Sequence, residues 1–300
     1  MSALRQHSDQ RASWRPAAAM LPDGERLHLQ HGPIDLIIGA TGAPEDIRLA
    51  FEQARDAFGS VLTDLVEELP GLKSPNAARP KGAVARRMYD ATRVYRSEFI
   101  TPMAAVAGSV ADHMLAQLIK GRDLTRAYVN NGGDIALHLE EDSFRIGICD
   151  DPVNGTAGGV IDIRPDDEVG GIATSGWRGR SHSLGIADAV TVLASTAAAA
   201  DAAATMIANA VDLPRSQKIR RAPANSLSPD SDLGDRLVTM DVGRLSPAEI
   251  NKALGTGFDK AESLRRSGVI KAAYLSLAGE RRTSSAQTQQ SEISRNVAHA

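Results

Sequence analysis

The sequence predicts an α+β fold, with long helices packed on largely antiparallel sheets. Three observations predict it. Apolar residues recur at helical spacing in three long segments between Pro44 and Lys120. From Thr125 onward the period shortens to two, in short runs separated by glycine and turn residues. The 300 residues are 42% hydrophobic but only 4% aromatic, so the core must be mostly Ala, Val, Ile and Leu. One domain is expected over residues 13–282, flanked by polar segments 1–12 and 283–300 that read as disordered.

Trp14 to Met20 and Arg26 to Gln30, joined by Pro22-Asp23-Gly24-Glu25, read as a hairpin, and Ile34 to Ile38 as a third strand. Pro44 to Glu68 reads as a helix whose Leu49, Ala50, Ala54, Phe58, Val61, Leu62 and Leu65 share a face. Pro70 to Lys81, with three prolines, reads as a connector. Gly82 to Phe99 and Pro102 to Lys120 read as two further helices, with Pro102 suited to a first turn.

Strands follow at Ala127 to Val129, Ile135 to Leu139 and Phe144 to Ile148, and Val160 to Ile163 and Gly171 to Thr174 are expected to continue the sheet. Ala189 to Leu193 is a strand that runs into an almost pure alanine helix, Ser195 to Met206, which Ser195 or Thr196 can cap. Pro214 to Asp235 reads as an exposed loop, and Arg236 to Val242 as a strand. Ser246-Pro247-Ala248-Glu249 is a capping box opening a helix, and Val269 to Leu277 is the last expected strand.

A net charge of −3 argues against a nucleic-acid partner. The single cysteine, Cys149, can form no internal disulfide and suits a reducing compartment. No apolar run is long enough to cross a bilayer, and residues 1–16 hold neither an apolar signal core nor a lipobox cysteine, so a cytoplasmic location is expected.

Three segments carry possible chemistry. Asn130-Asn131-Gly132-Gly133-Asp134 reads either as a hairpin turn or as a backbone cradle for a ligand, because paired glycines permit close approach. Thr174-Ser175-Gly176-Trp177-Arg178-Gly179-Arg180-Ser181-His182 gathers two arginines suited to a pyrophosphate, an indole suited to stacking, and an imidazole. It is otherwise a solvated glycine loop. Asp201 and Thr205, at i and i+4, share one face of the alanine helix. They are either two hard oxygen ligands for Mg²⁺ or two solvent-facing polar residues on a packing helix.

Taken in order, these segments resemble the ApbE superfamily, the FAD:protein FMN transferases. The chain is most similar to a sister branch of it that carries an uncharacterised-family label. The resemblance runs from about Thr101 to Ala210 and rests on Pro102 to Asp112, Asn130 to Asp134, Asp151-Pro152, Thr174-Ser175-Gly176, His182, Val190-Thr191-Val192 and Asp201 to Thr205. It implies a T-fold-type architecture, FAD or a related nucleotide-like ligand, and Mg²⁺ on Asp201 and Thr205 with a backbone carbonyl near Val106. It further implies a cofactor pocket formed by Asn131, Gly132, Gly133, Asp134, Thr174, Ser175, Gly176 and Trp177, and an acceptor protein bearing a threonine. For catalysis, residue type and neighbourhood nominate Arg178 and Arg180 for charge on the leaving AMP and His182 as base.

The chain departs from the family pattern at Ala107, where a lysine is usual, and after His182, where Ser183 to Asp188 replaces Asp-Pro-x-x-Gly. Two rivals to the transferase therefore stand: a non-catalytic binder of a flavin, pterin or nucleotide-like cofactor, and an enzyme acting on a small cofactor precursor.

Overall fold

The computed structural model describes residues 15–151 and 156–285. Trp14, Pro152 and the expected loose segments at 1–12 and 286–300 lie outside the described residues.

The chain opens with an antiparallel meander of β1 (Ala17–Met20), β2 (Leu27–His31) and β3 (Ile34–Gly42). Helix α1 (Pro44–Leu72) follows. It runs through Pro70, which the sequence had suggested as the start of a connector. The proline stands in the last turn, and the carbonyl it leaves without a donor belongs to the exposed Val66. Helix α2 (Ala83–Thr92) is shorter than the expected segment to Phe99 and tightens into a 3₁₀ turn at Arg93–Tyr95. At that end the Thr92 hydroxyl donates to the Met88 carbonyl at 2.9 Å. Pro102 opens a 3₁₀ turn, Pro102–Ala105, which leads into α3 (Val106–Leu118).

The second half alternates strands and helices. β4 (Leu124–Asn131) and β5 (Asp134–Leu139) form a hairpin, as do β6 (Phe144–Asp151) and β7 (Thr156–Ile163). β8 (Gly171–Ser175) and β9 (Ala189–Ala194) precede the alanine helix α4 (Ala197–Ala210). The segment read as an exposed loop holds β10 (Ile219–Pro223) and one turn of helix, α5 (Ala224–Leu227). It is ordered because β10 pairs with β11 (Leu237–Val242) and buries Ile219. Helix α6 (Pro247–Arg266) carries the expected capping box at Ser246 and Glu249. β12 (Ala272–Leu277) and β13 (Glu280–Ser284) close the chain. Thr283 and Ser284 thus belong to a strand rather than to a tail, and Ser284 is buried where it meets Glu262.

Nine strands form one sheet in the order β1-β2-β3-β4-β5-β8-β9-β12-β13, every neighbouring pair antiparallel. β6 and β7 do not continue this sheet, as their alternation had suggested. They form a separate ribbon on its other face, where Ile163 packs with Leu137, Ile172 and Leu193. The helices cover the opposite face. There Leu29, Leu36 and Val129 meet Phe51, Phe58 and Met114, while Val190, Val192 and Leu275 meet Met206, Ile207 and Leu254. Period-two alternation explains the division: Ile172 and Leu193 face the ribbon, and Ala173 and Val192 face the helices.

Helix α4 lies at the centre, with nine of its fourteen residues buried. Alanine lets it approach the sheet closely. A Cβ at Gly171 would overlap the Ala197 backbone, and one at Gly108 would overlap the Ala197 carbonyl. Its first turn is satisfied from two sides. Thr196 Oγ1 accepts from the Ala199 N–H at 3.2 Å. Asp112, buried on α3, accepts from the Ala197 and Ala198 N–H groups, both at 2.9 Å.

Two predictions follow from this packing. Asp112→Ala should cost roughly 1–3 kcal/mol in urea denaturation, because it strands two buried donors; an unchanged midpoint would show that the clamp is unimportant. The second concerns acid. Lys218 and Ser246 hold Glu249, and Arg265 and Ser284 hold Glu262, down to about 2, below the ordinary 4.5. Their contribution is complete above the unfolded value and is lost as pH falls through about 2. Stability should therefore fall between these limits, and less steeply in Glu262→Gln.

Candidate functional site

Three chain segments converge beside α4. The first is the β4–β5 turn, where Asn131 stands opposite Asp134 and Gly132 and Gly133 take φ of 66° and 112°. It is a two-residue hairpin, and the Gly133 N–H donates to Asn130 Oδ1 at 2.8 Å. The second is the start of α3. Asn131 Nδ2 donates to the Ala107 carbonyl at 3.1 Å, fixing the turn against that helix. The third is the end of β8, where the Thr174 N–H donates to Asp134 Oδ1 at 3.3 Å. The Thr174 and Thr191 hydroxyls meet at 2.8 Å across β8 and β9.

Asp201 projects from α4 toward this junction. Its Oδ2 accepts from the Gly108 N–H at 3.0 Å, and the Ala107 N–H also donates to the carboxyl. Thr205, half-buried, sits one turn further along the same face. Val106 opens α3, one residue before the amides that bind Asp201.

The electrostatics set this place apart. Burial pushes the Asp201 carboxyl well above the usual carboxylate range, and the charge of Asp134 pushes it further. Burial also raises Asp134, against the Thr174 N–H and the Arg180 guanidinium, which hold it down. Two carboxylates within each other's field are costly to ionise together unless a cation joins them. Among the described residues, no group of three or more His, Cys, Asp or Glu side chains is placed to hold a metal. A closed protein cage is thus missing there, but two carboxylates and a hydroxyl fit an ion that keeps waters and shares ligand oxygens, as Mg²⁺ does.

The loop after β8 divides the residues that the sequence had grouped. Trp177 Nε1 and Arg178 Nε both donate to Asp188 Oδ1, at 3.1 and 2.7 Å, and the Ala278 N–H donates to Oδ2 at 2.6 Å. The Arg178 guanidinium lies over the Trp177 ring, 4.8 Å from its centre. Gly176 is buried and Ser175 half-buried where the loop leaves β8. Arg180 instead reaches the turn, its Nη2 3.4 Å from the Gly132 carbonyl. His182 is exposed, its Nε2 3.3 Å from the Ser228 hydroxyl.

So the structure brings Asp134, Asp201, Arg180, Thr174 and the double glycine together, and ties Arg178 and Trp177 to Asp188. Sequence reasoning missed Asp112, Asp188 and the Ala107 and Gly108 amides. The first two had a signal, as lone acids in apolar segments; the amides had none.

The family model described as AbpE bacteria matches residues 18–283, and the chain belongs to that family. The UPF0280 protein of Methanothermobacter thermautotrophicus is 38% identical over 125 residues, 41% of this chain and 47% of that protein. The UPF0280 protein of Archaeoglobus fulgidus is 35% identical over 131 residues, 43% and 51% of the two chains. The chain spans about half the length of the curated relatives it matches. Among solved structures, the apo form of Pseudomonas stutzeri flavinyl transferase ApbE is similar at 13% identity and a TM-score of 0.40, over 91% of this chain and 96% of that one. Among the described residues, no helix is long and apolar enough to cross a membrane.

The Asp188 network yields a prediction. Asp188→Ala should shift Trp177 emission to the red and cost roughly 1–3 kcal/mol, since an indole and a guanidinium lose their acceptor. Unaltered emission would mean that Asp188 does not hold the loop.

Proposed function

We propose that this chain binds a flavin dinucleotide through a divalent cation and transfers FMN from FAD to a threonine of an acceptor protein. Support comes from the family to which the chain belongs and from one observation. Asp201 lies in the field of Asp134 beside the double-glycine turn, and burial makes both carboxyls reluctant to ionise.

In this proposal Asp201, Thr205 and Asp134 hold Mg²⁺, with a backbone carbonyl near Val106 as a further ligand. The ion, when bound, supplies charge neutralisation at the pyrophosphate. The chain's own residues do the remaining work. Asn131, Gly132 and Gly133 offer backbone that a ligand can approach closely. Thr174, Ser175 and Gly176 line the adjoining strand end, and Trp177 offers an aromatic edge. Arg180 takes a ligand phosphate, a better candidate than Arg178, which already serves Asp188. His182 removes the proton from the acceptor hydroxyl. The threonine oxygen then bonds to the FMN phosphorus, the bond to the bridging oxygen breaks, and AMP leaves with that electron pair.

A second reading, the non-catalytic binder, is favoured by two observations. His182 is engaged with Ser228, and Ala107 stands where the family usually has lysine.

The test is incubation with FAD, MgCl₂ and a threonine-bearing acceptor peptide. Covalently yellow peptide and an equal amount of AMP are expected. FAD binding without transfer would leave the binder, and no FAD binding would overturn both. Asp201→Ala should weaken Mg²⁺-dependent FAD affinity at least about tenfold. Unchanged affinity would remove Asp201 from the metal site.

A further inference from the structure

Residues 79–96 carry six cations, Arg79, Lys81, Arg86, Arg87, Arg93 and Arg96, against one acid, Asp90. The whole chain has a net charge of −3, so the remainder is strongly acidic. All of these cations except Arg87 are exposed. The fold gathers them. Arg79 and Arg93 share Asp90, at 3.6 and 3.8 Å, too far for a hydrogen bond. Arg86 stands one helical turn before Asp90 on the exposed face of α2, and its guanidinium donates to the Lys81 carbonyl. Arg96 ends the 3₁₀ turn that Arg93 begins. Acids of the neighbouring segments are engaged elsewhere. Glu68 of α1 accepts from the Lys81 and Gly82 amides at 2.8 and 2.6 Å, and Glu98 pairs with Lys260 of α6. Among the described residues, Lys81, Arg86 and Arg96 form no ion pair. Between Arg93 and Arg96 lies Val94, 58% exposed, the most exposed large apolar side chain among the described residues.

We propose that α2 and its flanking turns are a docking surface for an anionic lipid membrane, with Val94 entering the headgroup layer. This goes beyond the flavin reading and does not rest on it. Charge complementarity carries the argument. Clustered exposed arginines and lysines repel one another, and a plane of anionic headgroups relieves all of them at once. An acidic protein fits less well. Exposed ion pairs are individually weak, and a protein interface needs a buried aromatic or arginine anchor. Here Tyr95 is buried and Tyr89 half-buried. Single-stranded nucleic acid lacks an exposed ring to stack on for the same reason. A membrane needs neither an anchor nor a matched shape, and it accepts an apolar tip among cations. The acidic remainder of the chain is repelled by such a surface, which turns α2 toward it. On its buried face, Val84, Ala85 and Met88 of α2 join the core that holds Val110, Ala111 and Met114 of α3. The helix whose amides receive Asp201 would then lie next to the lipid.

The test is co-sedimentation of the full chain with vesicles of phosphatidylcholine, alone or with about one-third phosphatidylglycerol. Thermal melting checks that each variant is folded. Wild type should sediment with the anionic vesicles only, and should be released as salt rises to about 0.5 M. Each exposed cation should contribute about fivefold to partitioning, so Arg86→Gln with Arg93→Gln should weaken it at least about tenfold. Val94→Ser should weaken it further without altering the salt response. Arg145→Gln with Arg164→Gln, the same charge change on the exposed ribbon end, should leave it unchanged. Equal loss in that control would show that net charge acts rather than this patch, and would overturn the proposal. Equal sedimentation with both kinds of vesicle would do the same, as would none with either. Retention of polyglutamate or of an oligothymidylate in place of vesicles would assign the patch to a protein or a nucleic acid and also overturn it.

Discussion

The position of α4 depends on how little stands between its backbone and its neighbours. Glycine at 108 and 171 and alanine along the helix remove the side chains that normally keep a helix about 10 Å from what it packs against. The Asp112 carboxylate and the Thr196 hydroxyl then engage amides of the first turn. Only with the helix this close does Asp201 reach the Ala107 and Gly108 amides. The same closeness sets its charge against that of Asp134.

The site is thus a conflict held in place by the fold. Each acid is given backbone N–H donation, which favours ionisation, and burial, which opposes it, and Asp201 also faces the charge of Asp134. Natural cores avoid such pairs unless something else enters the balance. Arg180 supplies part of that balance from one side. Arg178, with a similar side chain two residues earlier, is instead committed to Asp188 and Trp177. Two arginines that look equivalent in the sequence therefore do different work, because one has a buried acceptor in reach and the other does not.

Much of the fold was legible in the sequence. Local signals sufficed for the first hairpin, the Ser246 capping box and the start of α1. The double glycine was legible twice over: it is a hairpin turn, and it also borders the acid pair. What escaped was set by distant partners. β6 and β7 alternate like any half-buried strands, and nothing local says that they leave the main sheet for a ribbon of their own. β10 looked like loop because its order comes from partners elsewhere in the chain, β11 beside it, the core around Ile219, and Asp212 and Leu184 at Arg221. Thr283 and Ser284 read as the start of a polar tail, yet they end β13, which pairs with β12 throughout, and Ser284 closes on Glu262. At the site, Asp201 and Thr205 stand out by their i, i+4 spacing, and only the family resemblance gives them a metal role. The backbone amides that receive Asp201 carry no residue signature at all.

The strand order has a consequence for how the molecule is made. β9 finds its second neighbour in β12, and the core around α4 draws on residues as far along the chain as Leu277. Non-local pairing of this kind must wait for loop closure. On the ribosome, α4 emerges well before β12 and α6, so its alanine face lacks that cover during synthesis. The meander of β1 to β3, by contrast, has its pairing partners within a few residues and is free to form first. The sheet can therefore grow from its β1 edge, and the β12 and β13 edge beside β9 is completed last.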